Sequence, residues 1–213
     1  MLRKLGFTLL WIGAIAYAFG FAPPDRPETF SLIQNLSTGN WEGINPAIVA
    51  LFNVMGIWPF IYSAVLLFDG RGQKIPAWPF AIASFAVGAF AILPYLAVRS
   101  PNPDFDGDKN PLLNLLDSRG LGAFLSVGAV VLLAYGVTQG NWAEFAADWQ
   151  SWRFIHVMSL DFCLLSLLFP ALLHDDMARR HLTRPVVFWI VALVPLLGPL
   201  AYLTWRPRIE SRQ

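Results

Sequence analysis

Apolar residues gather along this chain into six blocks, near 5–21, 46–68, 77–98, 120–137, 154–173 and 185–203. Each is about as long as a helix needs to cross a bilayer core, roughly 17 to 25 residues. The pattern predicts an all-α, polytopic transmembrane helical bundle of about six spans, forming one integral membrane domain over residues 1–213. Every break between blocks has a chemical cause: Pro23-Pro24 followed by Asp25, Arg26 and Glu28; Asp69-Gly70-Arg71-Gly72; Arg99-Ser100-Pro101; Gln139-Gly140-Asn141; and the polar run from His174 to Arg180. Backbone groups leave the helical ladder where water satisfies them, so these breaks mark the membrane surfaces.

The first block has two readings. Arg3-Lys4, an apolar stretch and the small residues Ala14, Ala16 and Ala18 describe a secretory signal peptide, whose removal leaves five spans. Gly6, Gly13 and Gly20 recur every seventh position, as on a packed helix face, and favour an uncleaved anchor. Before the fifth block, Trp142, Phe145, Trp149 and Trp152 fall on one helical face and Glu144 and Asp148 fall away from it. This is the pattern of a short amphipathic helix in the interface, setting the depth of the fifth span or docking a partner subunit.

Small residues recur at helical spacing in the third block (Ala77, Ala81, Ser84, Gly88, Ala91) and the fourth (Gly122, Ser126, Ala129), as close helix packing in lipid requires. Pro59, Pro94, Pro170, Pro195 and Pro199 lie within blocks and predict kinks. The third and sixth blocks end alike, with Tyr95-Leu96, Arg99 and Pro101 against Tyr202-Leu203 and Arg206-Pro207. Six straight spans would set these two halves in opposite orientation, an inverted repeat. Interfacial Tyr, headgroup Arg and a terminating Pro account for the echo more simply, as membrane-exit chemistry.

Composition agrees with the membrane assignment. Of the residues, 56% are hydrophobic, 15% aromatic and 14% charged, and mean hydropathy is +0.52; soluble domains run near ~25% charged. A water-soluble globule, a disordered chain and a disulfide scaffold are excluded. The net charge of +1 offers no field for nucleic acid. The single cysteine, Cys163, has no internal disulfide partner and reads as a small buried hydrophobe. The 15 Lys and Arg divide almost evenly between the two sides, so the positive-inside rule barely discriminates. The expectation is that both termini are cytoplasmic, although Arg179, Arg180 and Arg184 count against it.

The fifth block carries the most informative polar groups: His156, Ser159, Asp161, Cys163 and Ser166. A central Asp costs about 2.5 to 3.5 kcal/mol on insertion scales, so Asp161 must face protein or water, as a helix–helix contact or on a substrate or ion pathway. On an ideal helix it points roughly 140° from His156, which argues against a His–Asp pair. Asn53 is a possible partner from the second block. His156 is a weak candidate ligand for a pigment magnesium, its plainer role being an interfacial hydrogen bond. His174-Asp175-Asp176 and His181 match no zinc spacing, and their carboxylates read as solvated beside Arg179 and Arg180. Residues 102–110 resemble a calcium loop, but its twelfth position is Leu113 where a Glu is needed. No catalytic residue and no metal site is assigned.

The stretches LFNVMGIWPFIYSAVLLFDGRGQKIPAWPFAIASFAVGAFAILPYLAVRSP, RFIHVMSLDF, HDDMARR and PLLGPLAYLTWRP together resemble a poorly characterised family of multi-span proteins of cyanobacteria and chloroplasts, over about Asn45 to Pro207. The resemblance implies a thylakoid-type photosynthetic membrane and a non-enzymatic, auxiliary role in assembly or maintenance of a pigment–protein complex. Photosynthetic subunits would be partners, and chlorophyll or carotenoid a possible ligand. Met1-Leu2-Arg3-Lys4 opens directly onto the first block without a Ser-rich leader, which fits a cyanobacterial source. The competing expectation is a small transporter around Asp161 and Asn53; a membrane enzyme using His156 or His174 is a third.

Overall fold

The computed structural model describes residues 2–105 and 107–209, and all regular structure among them is helical. Among the described residues, four helices are long and apolar enough to cross a membrane: α1 (Leu2–Gly20), α3 (Pro46–Asp69), α7 (Arg119–Gln139) and the rod made of α9 (Arg153–Leu168) with α10 (Pro170–Arg179). These make the chain compatible with an integral membrane protein. Before α3 comes α2 (Thr29–Thr38), and before α9 comes α8 (Trp142–Ser151). A short α6 (Pro111–Leu116) precedes α7.

The third and sixth blocks are not straight spans. The third divides into α4 (Trp78–Val87) and α5 (Ala89–Val98), which fold back on each other at Gly88, with φ 51° and ψ −125°. In one helix Phe80 and Tyr95 would lie about 22 Å apart; their ring centroids are 5.5 Å apart. The sixth divides into α11 (Pro185–Leu193) and α12 (Leu197–Trp205), turning through Leu196 at φ 59°. Gly198 packs directly on the Val191 backbone, and Arg180, before α11, donates to the carbonyl of Pro207, after α12, at 2.5 Å. The expected six spans are therefore four long helices and two hairpins whose arms are each about 15 Å long.

Both hairpins open towards the same end of the bundle, where α3 and α10 finish. There a buried ion-pair network joins them. Asp69, the last residue of α3, accepts from Tyr95 Oη (2.6 Å), Arg99 Nε (2.7 Å) and Arg179 Nη1 (3.3 Å). Asp176 accepts from Tyr202 Oη (2.7 Å), Arg206 Nη1 (3.0 Å) and Arg180 Nε (2.8 Å). Asp175 pairs with Arg99, and Asp117 with Arg180 (2.6 Å) and Lys109 (3.0 Å). Burial depresses the basicity of Arg180 and Arg206 alike. At Arg180 the carboxylates of Asp176 and Asp117 more than offset it and raise the pKa; at Arg206 burial prevails and the pKa falls.

Asp175, Asp176, Arg179 and Arg180 are buried rather than solvated; His174 alone of that run is exposed. The shared Tyr-Leu-x-x-Arg endings are correspondingly more than exit chemistry, since each Tyr and Arg grips the Asp that precedes its own hairpin.

The echo extends over the whole chain. Asp69 and Asp176, Tyr95 and Tyr202, and Arg99 and Arg206 are each 107 positions apart, as are the starts of α3 and α9, the starts of α4 and α11, and the ends of α5 and α12. Each half has the order long helix, surface helix, long helix, hairpin. Since α3 and α9–α10 both run towards the ion-pair end, the halves are parallel and not inverted.

At the opposite, aromatic end lie α2 and α8, residues of which line one polar cleft. Leu32 and Leu36 of α2 pack with Ile48, Val49, Trp152 and Ile155. Arg26 pairs with Asp148 at 3.0 Å and lies 4.5 Å over the Trp152 ring. Phe145 and Trp149 join this cluster while Trp142 stays exposed, so the aromatic face of α8 is only partly buried. The small residues of α7 serve helix packing: Gly122 meets the Leu203–Thr204 backbone of α12, and Gly136 meets Ala50 and Pro46 of α3.

Candidate functional site: a cavity above the first hairpin

Four elements wall a cavity of about 710 Å³: α1 through Trp11, Ile15, Ala18 and Phe19; α3 through Phe52, Met55 and Gly56; the α4–α5 tip through Ser84 to Gly88 and Phe90; and α9 through Phe154, Val157, Met158 and Asp161. Asp25, Thr29 and Arg153 stand at its aromatic end. The volume lies within the range of small-molecule sites, which are mostly apolar with a few placed polar groups.

Local sequence builds the floor. Gly88 adopts a backbone conformation that L side chains avoid, which frees the first amides of α5 to face α9. Asp161 fills that position from across the bundle: its Oδ1 accepts from Ala89 N at 2.9 Å. It caps a half-length helix, and the positive end of the α5 dipole faces its carboxylate. A Cβ at Gly88 would stand 1.7 Å from Asp161 Oδ2, so glycine is required for space as well as for φ. Ser84 donates to Ala81 O at 2.7 Å and the α5 backbone is held to α1 by Trp11 Nε1, which donates to Phe90 O at 2.9 Å.

His156 lies beside this cavity. Its Nε2 is 2.8 Å from Tyr17 Oη and its Nδ1 is 2.8 Å from the Trp149 carbonyl, with the ring between Tyr17 and Trp149. The carbonyl can only accept, so Nδ1 carries the proton and Nε2 accepts from tyrosine. With both nitrogens engaged, a pigment magnesium would have to displace Tyr17. Asn53 is not the partner of Asp161: its amide donates to Val49 O at 2.8 Å, one turn back, and it does not line the cavity. Cys163 is exposed on the outer face of α9 instead of buried. Asp106, within the loop that resembles a calcium site, lies outside the described residues; among those described, no three His, Cys, Asp or Glu side chains come together as metal ligands.

Sequence reasoning placed Asp161 against protein but missed what it meets. Gly88, the residue that turns the chain, stood among the small residues expected to pack one face of a continuous third span. Helix α2 was also missed, although Leu32, Ile33 and Leu36 are spaced for one helical face. Compared with known proteins, the chain matches no family model, no curated protein and no solved structure.

Proposed function

We propose that this is a non-enzymatic integral membrane protein that holds an apolar, pigment- or lipid-like molecule in the cavity above its first hairpin. In this reading it resides in a thylakoid-type membrane, both ends of the chain face the cytoplasm, and it assists assembly or maintenance of a pigment–protein complex. The cavity is the observation that carries the binding role: its walls are aliphatic and aromatic, and its few polar groups sit at one end and on its floor. The photosynthetic setting rests on the resemblance of the Asn45 to Pro207 stretch. The location of Leu2 and Arg206 at one end of the bundle supports a common side for both ends, through Lys4 on Val98 O and Arg206 on Asp176. The test is isolation of a tagged copy from its native membrane in mild detergent, with an absorption spectrum and mass spectrometry of co-purifying proteins. Stoichiometric pigment or photosynthetic subunits are expected. A colourless, solitary protein, together with normal complexes in a deletion strain, overturns the reading.

A small transporter is the second reading, favoured by the two broken segments, because half-length helices with their ends inside the bundle recur at transporter binding sites. Asp161→Asn preserves an acceptor for Ala89 N and removes the charge. Loss of a flux with unchanged protein abundance would support transport through this site; loss of abundance instead assigns Asp161 to the fold.

A further inference from the structure

We infer that the cavity is the seat of one uncharged amphipathic lipid, with its chain in the leaflet that the first hairpin leaves empty and its polar head between Arg153 and Asp25. The inference rests on the ligand-binding reading above and names the ligand class.

Depth carries the argument first. The arms of α4 and α5 are about 15 Å long, half of a bilayer core of about 30 Å. They enter from the ion-pair end, so the half of the core above Gly88 holds no part of the hairpin. The cavity occupies that half, from Gly88 and Asp161 up to Thr29 and Arg153 at the aromatic end. Its length is therefore that of a single leaflet, and an acyl or isoprenoid chain matches it.

Comparison between the two halves shows a difference in how their helices meet. In the second half α3 and the end of α7 come together through Gly136 on Ala50 and Gly140 on Ala47. The corresponding pair in the first half is α9 with α1, where Tyr17 and His156 bridge the helices. Beside that bridge Trp11, Ile15 and Phe154 line the cavity. The cleft is open to its surroundings along the exposed Phe19, Phe85 and Val87, so a chain lying in it would gain dispersion contacts with these apolar walls.

The head end sets the charge. Arg153 Nε donates to Pro23 O at 3.0 Å, and its two Nη atoms have no partner among the described residues. Asp25 Oδ1 accepts from Arg26 N (3.0 Å) and Thr29 Oγ1 (2.5 Å), and its Oδ2 has no partner among them. Arg26 is engaged by Asp148. Arg153 offers a donor and Asp25 an acceptor at the same end of the cavity, which a head carrying carbonyl or hydroxyl acceptors and a hydroxyl donor satisfies without adding charge, whereas a choline head has no donor for Asp25. A net negative head would meet Asp25.

Gly56 supplies the test. It lines the cavity with open space where a Cβ would stand, and its backbone is ordinary helix. Larger side chains there enter the void, and Gly→Ala improves helix propensity. Full-length protein and the variants Gly56→Ala, Gly56→Leu and Gly56→Phe are delipidated and incubated with phosphatidylcholine vesicles containing either an uncharged glycolipid or phosphatidylglycerol. After repurification, lipid retained per protein is measured by mass spectrometry, and thermal unfolding checks each fold.

The expected result is one uncharged lipid per protein on the wild type and Gly56→Ala, falling with side-chain size to about tenfold less or lower on Gly56→Phe. Unchanged retention on a folded Gly56→Phe, or equal retention of phosphatidylglycerol, overturns the inference. Pigment or photosynthetic subunits on the native protein without a Gly56-sensitive lipid overturn it alone. A Gly56-sensitive lipid in a strain whose complexes are normal without the protein supports it, and defeats only the photosynthetic role.

Discussion

Replacing Gly88 with alanine tests the junction between the first hairpin and α9, and its cost follows from two separable terms. A non-glycine residue at φ 51°, ψ −125° is strained by about 1 to 3 kcal/mol. The new methyl also occupies the space of Asp161 Oδ2, 1.7 Å away, so the carboxylate must leave and Ala89 N–H loses its acceptor, a further cost of about 1 to 3 kcal/mol. Gly88→Ala should therefore destabilise the protein by about 2 to 6 kcal/mol. Asp161→Ala incurs only the second term and is relieved of a carboxylate that costs about 2.5 to 3.5 kcal/mol to insert, so its net effect should be small. In the double variant the Ala89 amide is orphaned once, not twice. The two changes should then fall short of additivity by about 1 to 3 kcal/mol. Reversible unfolding of the four proteins in mixed micelles, followed by tryptophan fluorescence, gives the cycle. A neutral Gly88→Ala, or strict additivity, would refute the reasoning that the glycine and the aspartate are one device.

Other consequences follow from packing and charge. Gly122→Ala should destabilise by about 1 to 3 kcal/mol, because its Cβ would come 2.7 Å from Thr204 N and backbone cannot yield as a side chain can. Gly13→Ala, into open space on α1, should be neutral or stabilise by up to about 1 kcal/mol, and parallel thermal unfolding compares the two. Asp176→Asn should cost about 3 to 5 kcal/mol, read as loss of folded yield, by leaving Arg180 and Arg206 partly uncompensated in a buried network. Tyr202→Phe removes one donor to the same carboxylate and should cost about 1.5 to 3 kcal/mol in the same assay.

How far these features could be read from the sequence depends on whether the information is local. Apolar runs gave the long helices because insertion needs continuous hydrophobicity, and α3 and α7 lie within a few residues of the expected 46–68 and 120–137. The same rule fails for 77–98 and 185–203, since a hairpin with two apolar arms has the same composition as one span. What separates them is Gly88 in the first case and the Val194–Leu196 turn in the second. Neither position looks exceptional in membrane sequences, where glycine and proline are common. Asp161 was legible as a residue that needs a partner. Its partner was not, because a backbone amide has no letter in the sequence.

The repeat was visible in its endings, which by themselves read as membrane-exit chemistry, and straight spans hid its direction. Two straight third and sixth spans would put Tyr95 and Tyr202 on opposite faces of the membrane, which hides any common partner. Once both segments turn back, each Tyr and Arg returns to the Asp at the foot of its own hairpin. At the end of α10, Arg180 then reaches Asp176, while Arg179 lies between the two carboxylates, 3.3 Å from Asp69 and 3.7 Å from Asp176. Buried ion pairs are poor sources of net stability, because desolvation consumes most of the attraction. Their value here lies in selection. A hairpin with apolar arms has no directional force to fix its register in lipid, where every face is equally solvated. An Arg and a Tyr four residues apart, both required to meet one buried carboxylate, admit a single depth and rotation of the second arm. That fixes the height of Gly88, and with it the meeting of Ala89 N with Asp161 that floors the cavity.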